Sequence, residues 1–189
     1  MLYKIGFFIT GTLFLISCEN GSSEQKQEKV KKDTILVTDK CTNLLNEAKR
    51  LDNILLKATI VNNNIAEQAT KAFYEFSSNC KEDTLAPVFL IKAGQVSQSI
   101  NKYTQAQSFF TKCIDEFPEF KSRGAAMFLL AQLYDDASIL NNESEARTIY
   151  HQLIREYPDS PYANDARACI KNLGKTDEEL IHEFLKKNK

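Results

Sequence analysis

Apolar residues recur at helical spacing along most of the chain. After residue 40 they step by four and three positions and would form one stripe along a helix. A broader stripe over residues 106–117 is typical of a helix packed between two neighbours. The chain has only six glycines and four prolines, which favours a few long elements. The pattern therefore predicts an all-α protein. The residues of the first stripe are Leu44, Ala48, Leu51, Leu55 and Ala58.

Signals for helix ends support this prediction near the C-terminus. Ser160 followed by Pro161 predicts an N-cap and a first helical residue. Gly174 is expected to end that helix, and Thr176 with Glu179 has the pattern of a capping box that begins the last one. We expect this last helix to cap an open stack, with its apolar residues on one face. Those residues are Leu180, Ile181, Phe184 and Leu185.

Two segments repeat one pattern, 40 residues apart. In residues 106–118 and 146–158, an Ala, an aromatic residue, an Ile, a Glu, a second aromatic residue and a Pro recur in register. A weaker copy begins at Ala69, with Lys81 where the proline would stand. Each strong copy follows a helical segment with a small residue, Gly94 or Ala131, which would let paired helices approach closely.

This pattern resembles the tetratricopeptide repeat over residues 43–172. The resemblance implies antiparallel helical hairpins stacked as a short superhelix, about three hairpins and a capping pair. Two features depart from the repeat. Ser97 stands where a Tyr is expected, and one unit has extra residues around 138–142.

The N-terminus predicts export. Residues 1–17 carry one positive charge, followed by a short apolar run. This run is shorter than the roughly 20 apolar residues that a membrane span needs. Residues 15–18, ending in Ser17 and Cys18, resemble a lipobox, which implies a diacylglycerol and acyl lipid on Cys18. An ordinary signal peptide, or a signal anchor that ends in Cys, is the alternative.

The rest of the chain divides into two parts. Residues 19–33 are polar and mixed in charge, and we predict that residues 18–40 comprise the lipidated cysteine and a flexible tether. Within them, residues 34–38 form a short β-prone run with no predicted place in the fold. Residues 41–189 are expected to form the repeat domain and its C-terminal capping helices.

The repeats and the lipobox together resemble the tetratricopeptide lipoproteins of Gram-negative envelopes. That group includes the outer-membrane-assembly lipoprotein of the BamD type and the periplasmic coordinator of the Tol–Pal system. The resemblance implies a lipid-anchored adaptor that binds proteins, most simply at the outer membrane facing the periplasm. The alternative is a structural subunit of a β-barrel assembly complex, although BamD-type proteins usually carry more hairpins than fit here.

Charge and motifs argue against catalysis and against nucleic acid. Basic and acidic residues nearly cancel, 24 against 25, so no electrostatic footprint for nucleic acid exists. His151 and His182 lack a second ligand at metal spacing. Asp135 and Asp136 are expected to point about 100° apart on a helix and not to share a site. No phosphate loop or nucleophile motif is present. We therefore expect no enzyme, no metal, no small-molecule substrate and no cofactor beyond the lipid.

Four cysteines follow Cys18. Cys41 and Cys80 lie at the two ends that meet in the first antiparallel hairpin, so we predict a disulfide between them. That hairpin also lacks its closing proline. Cys113 occupies a position where the repeat needs a small residue, which predicts a buried free thiol. Cys113 and Cys169 are two units apart, too far for a bridge.

A partner is expected along the first helix of each hairpin, where this repeat family usually binds ligands. With Gly94 and Ala131 aligned as packing residues, the remaining faces carry amide, carboxylate and apolar side chains. These suit an extended peptide, whose backbone needs both donors and acceptors. A polar surface that only keeps an open stack soluble is the alternative. The candidate groove residues are Ile91, Gln95, Gln98, Phe128, Gln132 and Asp135.

Overall fold

The protein is all-α, as its sequence predicts. A computed structural model describes residues 21–187, and every regular element in this range is an α-helix. The helices pair in chain order as antiparallel hairpins, and each helix from α2 to α6 packs against the next. The first helix of the third hairpin, α5, also contacts α7. The helices are α1 (Gly21–Lys57), α2 (Asn63–Asn79), α3 (Ala86–Ser99), α4 (Tyr103–Glu116), α5 (Arg123–Asp135), α6 (Glu143–Glu156), α7 (Pro161–Asn172) and α8 (Asp177–Lys187).

The chain divides into two units, residues 1–39 and 40–189. The described part of the first unit is the helical segment 21–39, for which the sequence predicts a flexible tether and a β-prone run. The observed secondary structure corrects that expectation. Glu, Lys and Gln dominate residues 24–32, and their high helix propensities favour a helix even where no apolar stripe exists. The predicted signal peptide and Cys18 lie outside the described residues.

Small residues bring the paired helices together in the second unit. Ala106, Ala131 and Ala146 are fully buried, as the repeat pattern predicts. Gly94 approaches Phe110 so closely that a Cβ atom there would lie 2.3 Å from the ring carbon Cε1. Phe110 is itself fully buried. The backbone of α3 therefore sits directly on an aromatic ring of α4.

Buried aromatic rings join the hairpins. The Phe89 ring of α3 lies 5.0 Å from Phe73 and 5.5 Å from Phe76, both on α2. Arg123 at the start of α5 donates through Nε to the carbonyl of Ile114 at 2.8 Å and forms an ion pair with Glu156 of α6. The Phe89 contacts join the second hairpin to the first, and the bond from Arg123 to Ile114 joins the third to the second, whereas the ion pair with Glu156 lies within the third hairpin.

The predicted helix ends near the C-terminus are confirmed. The Ser160 hydroxyl accepts a hydrogen bond from the Tyr162 amide at 3.3 Å. Gly174 follows α7 with a positive φ of 81°, a conformation that glycine adopts without strain. The Thr176 amide donates to Glu179 Oε2 at 2.9 Å, and the Glu179 amide donates to Thr176 Oγ1 at 3.3 Å. This reciprocal pair is a capping box.

The last helix is less buried than a cap would be. In α8, Ile181, Phe184 and Leu185 remain 60%, 67% and 57% exposed. Lys175, in the turn before α8, forms an ion pair of 2.6 Å with Glu183 in the second turn of the helix. Periodicity places these apolar residues on one face of α8, but it does not predict how far that face is buried, because burial depends on the turn at residues 173–176.

The first hairpin is closed by a disulfide. Cys41 and Cys80 are bonded, with their Cα atoms 5.7 Å apart, and they are the pair selected from the hairpin geometry. Beside them, Lys40 Nζ donates to Asn79 Oδ1 at 2.6 Å. Cys113 is a buried free thiol, as predicted, and burial raises its pKa to about 12. Cys169 is also free and is partly buried.

Candidate partner-binding groove

Helices α3, α5 and α7 are the first helices of three successive hairpins, and they line two concavities. The first, which we call the apolar concavity, has a volume of about 310 Å³. Ile91 and Gln95 of the predicted groove lie in its wall. Lys92 also lines it, but its ammonium group is held by Asp52 of α1 at 2.7 Å. The lining residues are Val88, Ile91, Lys92, Gln95, Phe120, Ser122, Ala125, Leu129 and Tyr162.

The second, which we call the acidic concavity, has a volume of about 340 Å³. It contains three residues of the predicted groove, namely Gln98, Gln132 and Asp135. Three elements outside the predicted groove add to the wall: the α5–α6 loop, α6 and α7. The lining residues are Gln98, Gln132, Asp135, Asp136, Ile139, Tyr150 and Cys169.

Phe128, the sixth predicted groove residue, connects the two concavities. Its ring lies 5.9 Å from that of Tyr150, which lines the acidic concavity. On its other side the ring lies 5.7 Å from that of Tyr162, which lines the apolar concavity. We use "the groove" for the two concavities together with Phe128.

Asp135 and Asp136 line one concavity, which corrects the expectation that they would not share a site. Asp135 is the last residue of α5 and Asp136 is its C-cap, with ψ of 115°, so the chain leaves the helix at this point. The α5–α6 loop that follows contributes Ile139 to the wall of the same concavity. Asp136 accepts hydrogen bonds from the amide and hydroxyl of Ser138 at 2.8 and 2.6 Å, which fixes the start of the loop.

The acidic concavity carries negative charge in a partly buried setting. The Tyr150 hydroxyl donates to Asp135 Oδ2 at 3.2 Å. Burial raises the pKa of Asp135, and the neighbouring charges of Glu143 and Asp136 raise it further. The pKa of Tyr150 is also raised, chiefly by burial and then by Cys169 and Asp135. Among the described residues, no Lys or Arg forms an ion pair with Asp135 or Asp136.

The additional lining residues come from features that the sequence shows. The extra residues around 138–142 form the α5–α6 loop, which places Ile139 in the wall of the acidic concavity. Tyr162 and Cys169 lie on α7, whose start is marked by Ser160 and Pro161. Treating α7 as a third groove helix rather than only as part of the cap would have found both residues.

Other side chains considered for chemistry lie apart from the groove. His151 and His182 are exposed on α6 and α8. Within residues 21–187, no three His, Cys, Asp or Glu side chains are grouped so that they could hold a metal ion. None of the helices in this range is both long and apolar enough to cross a membrane.

A third and larger concavity, about 690 Å³, lies where the α2–α3 and α4–α5 turns meet. Pro87, Phe117 and Pro118 supply apolar surface there. An ion pair between Lys81 and Glu116 crosses between the two turns. This surface is formed by turns rather than by the first helices of the hairpins, so it offers a separate place for a partner.

The fold and the groove define the class of this molecule: it is an α-helical repeat protein built from stacked hairpins. Residues 125–160 match the family model of the tetratricopeptide repeat. This match covers α5, α6 and the turn that contains Pro158. Repeats of this family are non-catalytic and support protein–protein interaction. A comparison with curated proteins found no match.

Proposed function

We propose that this chain is a lipid-anchored scaffold of the bacterial cell envelope that holds an extended segment of a partner protein in the groove. The observation that carries this proposal is the position of the six candidate residues. Five of them line the two neighbouring concavities and Phe128 lies between these. Side chains spread along one surface suit a segment of chain better than a compact ligand.

The chemistry of the groove also suits a peptide. Gln95 and Gln132 are exposed, and each amide can donate to a peptide carbonyl and accept from a peptide amide. Leu129 and Tyr162 supply apolar surface beside them. A peptide in extended conformation presents backbone groups and side chains alternately, so it can use both kinds of contact.

The membrane part of the proposal rests on the sequence. Ser17 and Cys18 end a short apolar segment, and a diacylglycerol with a further acyl chain on Cys18 would give a stable anchor. We propose the outer membrane, facing the periplasm, as the location. The scaffold needs no cofactor and no small-molecule substrate for this role.

A double variant tests the groove. Gln95→Ala with Gln132→Ala removes two exposed amides and should leave helicity and melting nearly unchanged, because exposed helix substitutions rarely cost more than about 0.5 kcal/mol. We expect it to abolish partner recovery after in-cell crosslinking and affinity purification.

The matched control changes two glutamines on second helices. In the part of the chain that the structure describes, the side chains of Gln68 and Gln152 hydrogen-bond within their own helices, at 2.6 Å to Asn64 and 2.8 Å to Glu156. Gln68→Ala with Gln152→Ala should recover partners at the wild-type yield. If the groove variant also recovers the same partners at that yield, the groove is not the binding site, and the turn-lined third concavity becomes the candidate.

A further inference from the structure

The two ends of the groove differ in chemistry. The apolar concavity is walled by aliphatic and aromatic side chains, among them Ile91, Leu129 and Tyr162. Its one cation, Lys92, is engaged by both oxygens of Asp52 at 2.7 and 2.8 Å. The acidic concavity instead presents two carboxylates, Asp135 and Asp136. The groove therefore has an apolar end and an anionic end.

The separation of the two ends follows from helix geometry. On α3 the lining moves from Ile91 to Gln98, and it moves from Leu129 of α5 to Asp136, the C-cap of that helix. Each step is two helical turns, which is about 10 Å at 1.5 Å per residue. An extended peptide covers this distance in about three residues at 3.3 Å each.

We propose that the groove selects a peptide segment with an apolar side chain and a Lys or Arg about three positions apart. This inference rests on the proposed function and adds the chemical class of the partner segment. The apolar side chain occupies the concavity beside Leu129 and Tyr162. The cationic side chain reaches Asp135 and Asp136.

The setting of Asp135 favours a cationic ligand. Its carboxylate accepts one hydrogen bond, from Tyr150, and within the described residues no basic side chain neutralises it. Burial and the charges of Asp136 and Glu143 raise its pKa, so the anion is held at a cost that an incoming cation offsets. A carboxylate on the peptide would be repelled by the same charges.

The polar residues at this end fit a basic side chain as well. Gln98 and Gln132 offer amide oxygens, which accept hydrogen bonds from an ammonium or guanidinium group. Ile139 and the ring of Tyr150 can cover the aliphatic stem that carries the charge. A Lys or Arg side chain thus meets a complementary surface along its whole length.

Selection of a displayed random peptide library for binding to the full chain, purified in detergent, tests this inference. We expect enrichment of peptides that carry an apolar and a basic residue about three positions apart, in one of the two possible orders. Binding of a synthetic peptide from the enriched set should weaken as salt rises, because a charge pair contributes to it.

Two variants separate the ends of the groove. Asp135→Asn with Asp136→Asn keeps the hydrogen-bond acceptors for Tyr150 and Ser138 but removes the charge. It should lower affinity for the enriched peptide by about tenfold and abolish the preference for the basic residue. Tyr162→Ala should instead weaken the preference for the apolar residue.

Matched controls lie outside the groove. Asp115→Asn with Asp159→Asn removes the same charge from two exposed positions on α4 and the α6–α7 turn. Tyr74→Ala removes a ring of similar exposure, 38% against 37% for Tyr162. Neither control should change the enriched motif or the affinity.

The possible outcomes show whether this inference, or the proposed function as well, is wrong. Enriched peptides without the apolar–basic pattern, whose binding is lost in the Gln95→Ala and Gln132→Ala variant, would overturn the inference and leave the proposed function standing. An unchanged preference for the basic residue in the double Asn variant would also overturn the inference. If the library yields no peptide that binds the groove, both fail.

Discussion

At the scale of single residues, the contact between Gly94 and Phe110 limits the approach of α3 to α4. Helix propensity alone favours Ala over Gly by about 1 kcal/mol. A Cβ atom at position 94 would, however, lie only 2.3 Å from a ring carbon of Phe110, and this buried ring has no free space toward solvent. Overpacking typically costs about 1–3 kcal/mol, and contacts of 2.3–2.7 Å with three atoms of a buried ring place this cost in the upper part of that range, above the gain in helix propensity.

We therefore predict that Gly94→Ala lowers the free energy of unfolding by about 1–2 kcal/mol, measured by urea denaturation. Gln95→Ala, at the next position but exposed, should change it by less than about 0.5 kcal/mol. A Gly94→Ala protein as stable as the wild type would contradict the close contact.

Some roles of single residues follow from the sequence and others do not. The small residues of the repeat could be assigned because a tight helix contact permits few alternatives. The concavity that Asp135 and Asp136 share could not, because it depends on the path of the α5–α6 loop and on the position of α7, which add Ile139 and Cys169 to its wall.

At the level of the helices, the disulfide between Cys41 of α1 and Cys80, the C-cap of α2, links the two helices of the first hairpin. Their separation in sequence is 39 residues. In the chain-entropy model, closing a loop of this size stabilises a fold by about 3–4 kcal/mol. The first hairpin lacks the proline that ends the two later ones, so a covalent link there contributes where the repeat is weakest.

We predict that Cys41→Ser with Cys80→Ser lowers the free energy of unfolding by about 2–4 kcal/mol. Reductant should lower the melting temperature of the wild type to that of the double variant, and it should leave the melting temperature of the double variant unchanged. Peptide mapping without reductant that finds both thiols free in protein from the envelope would contradict the disulfide.

The elements also show what periodicity can predict. The apolar stripes and the C-terminal capping signals predict some helices directly, and the repeat pattern predicts those between them, since each signal has a local cause. The polar composition of residues 18–40 predicts a flexible tether, whereas residues 21–40 are helical, in keeping with the high helix propensity of Glu, Lys and Gln. Composition indicates whether a segment can form a core, which is a different question from whether its backbone is helical.

For the whole molecule, the proposed lipid anchor on Cys18 would hold the protein at a membrane. We predict that radiolabelled palmitate is incorporated into the wild type in bacterial cells and not into Cys18→Ser. Cys169→Ser, which changes a partly buried cysteine, should retain the label and serves as the control. Continued labelling of Cys18→Ser, or release of the wild type from membranes without detergent, would contradict lipidation.

The proposed role requires above all that a partner segment lies in the groove. Site-specific photocrosslinking in cells tests this directly, with a photoreactive amino acid in place of Gln132 in the groove or Gln152 on α6. We expect a crosslinked partner from position 132 and none, or far less, from position 152. Crosslinks from position 152 alone, or equal yields from both, would contradict it.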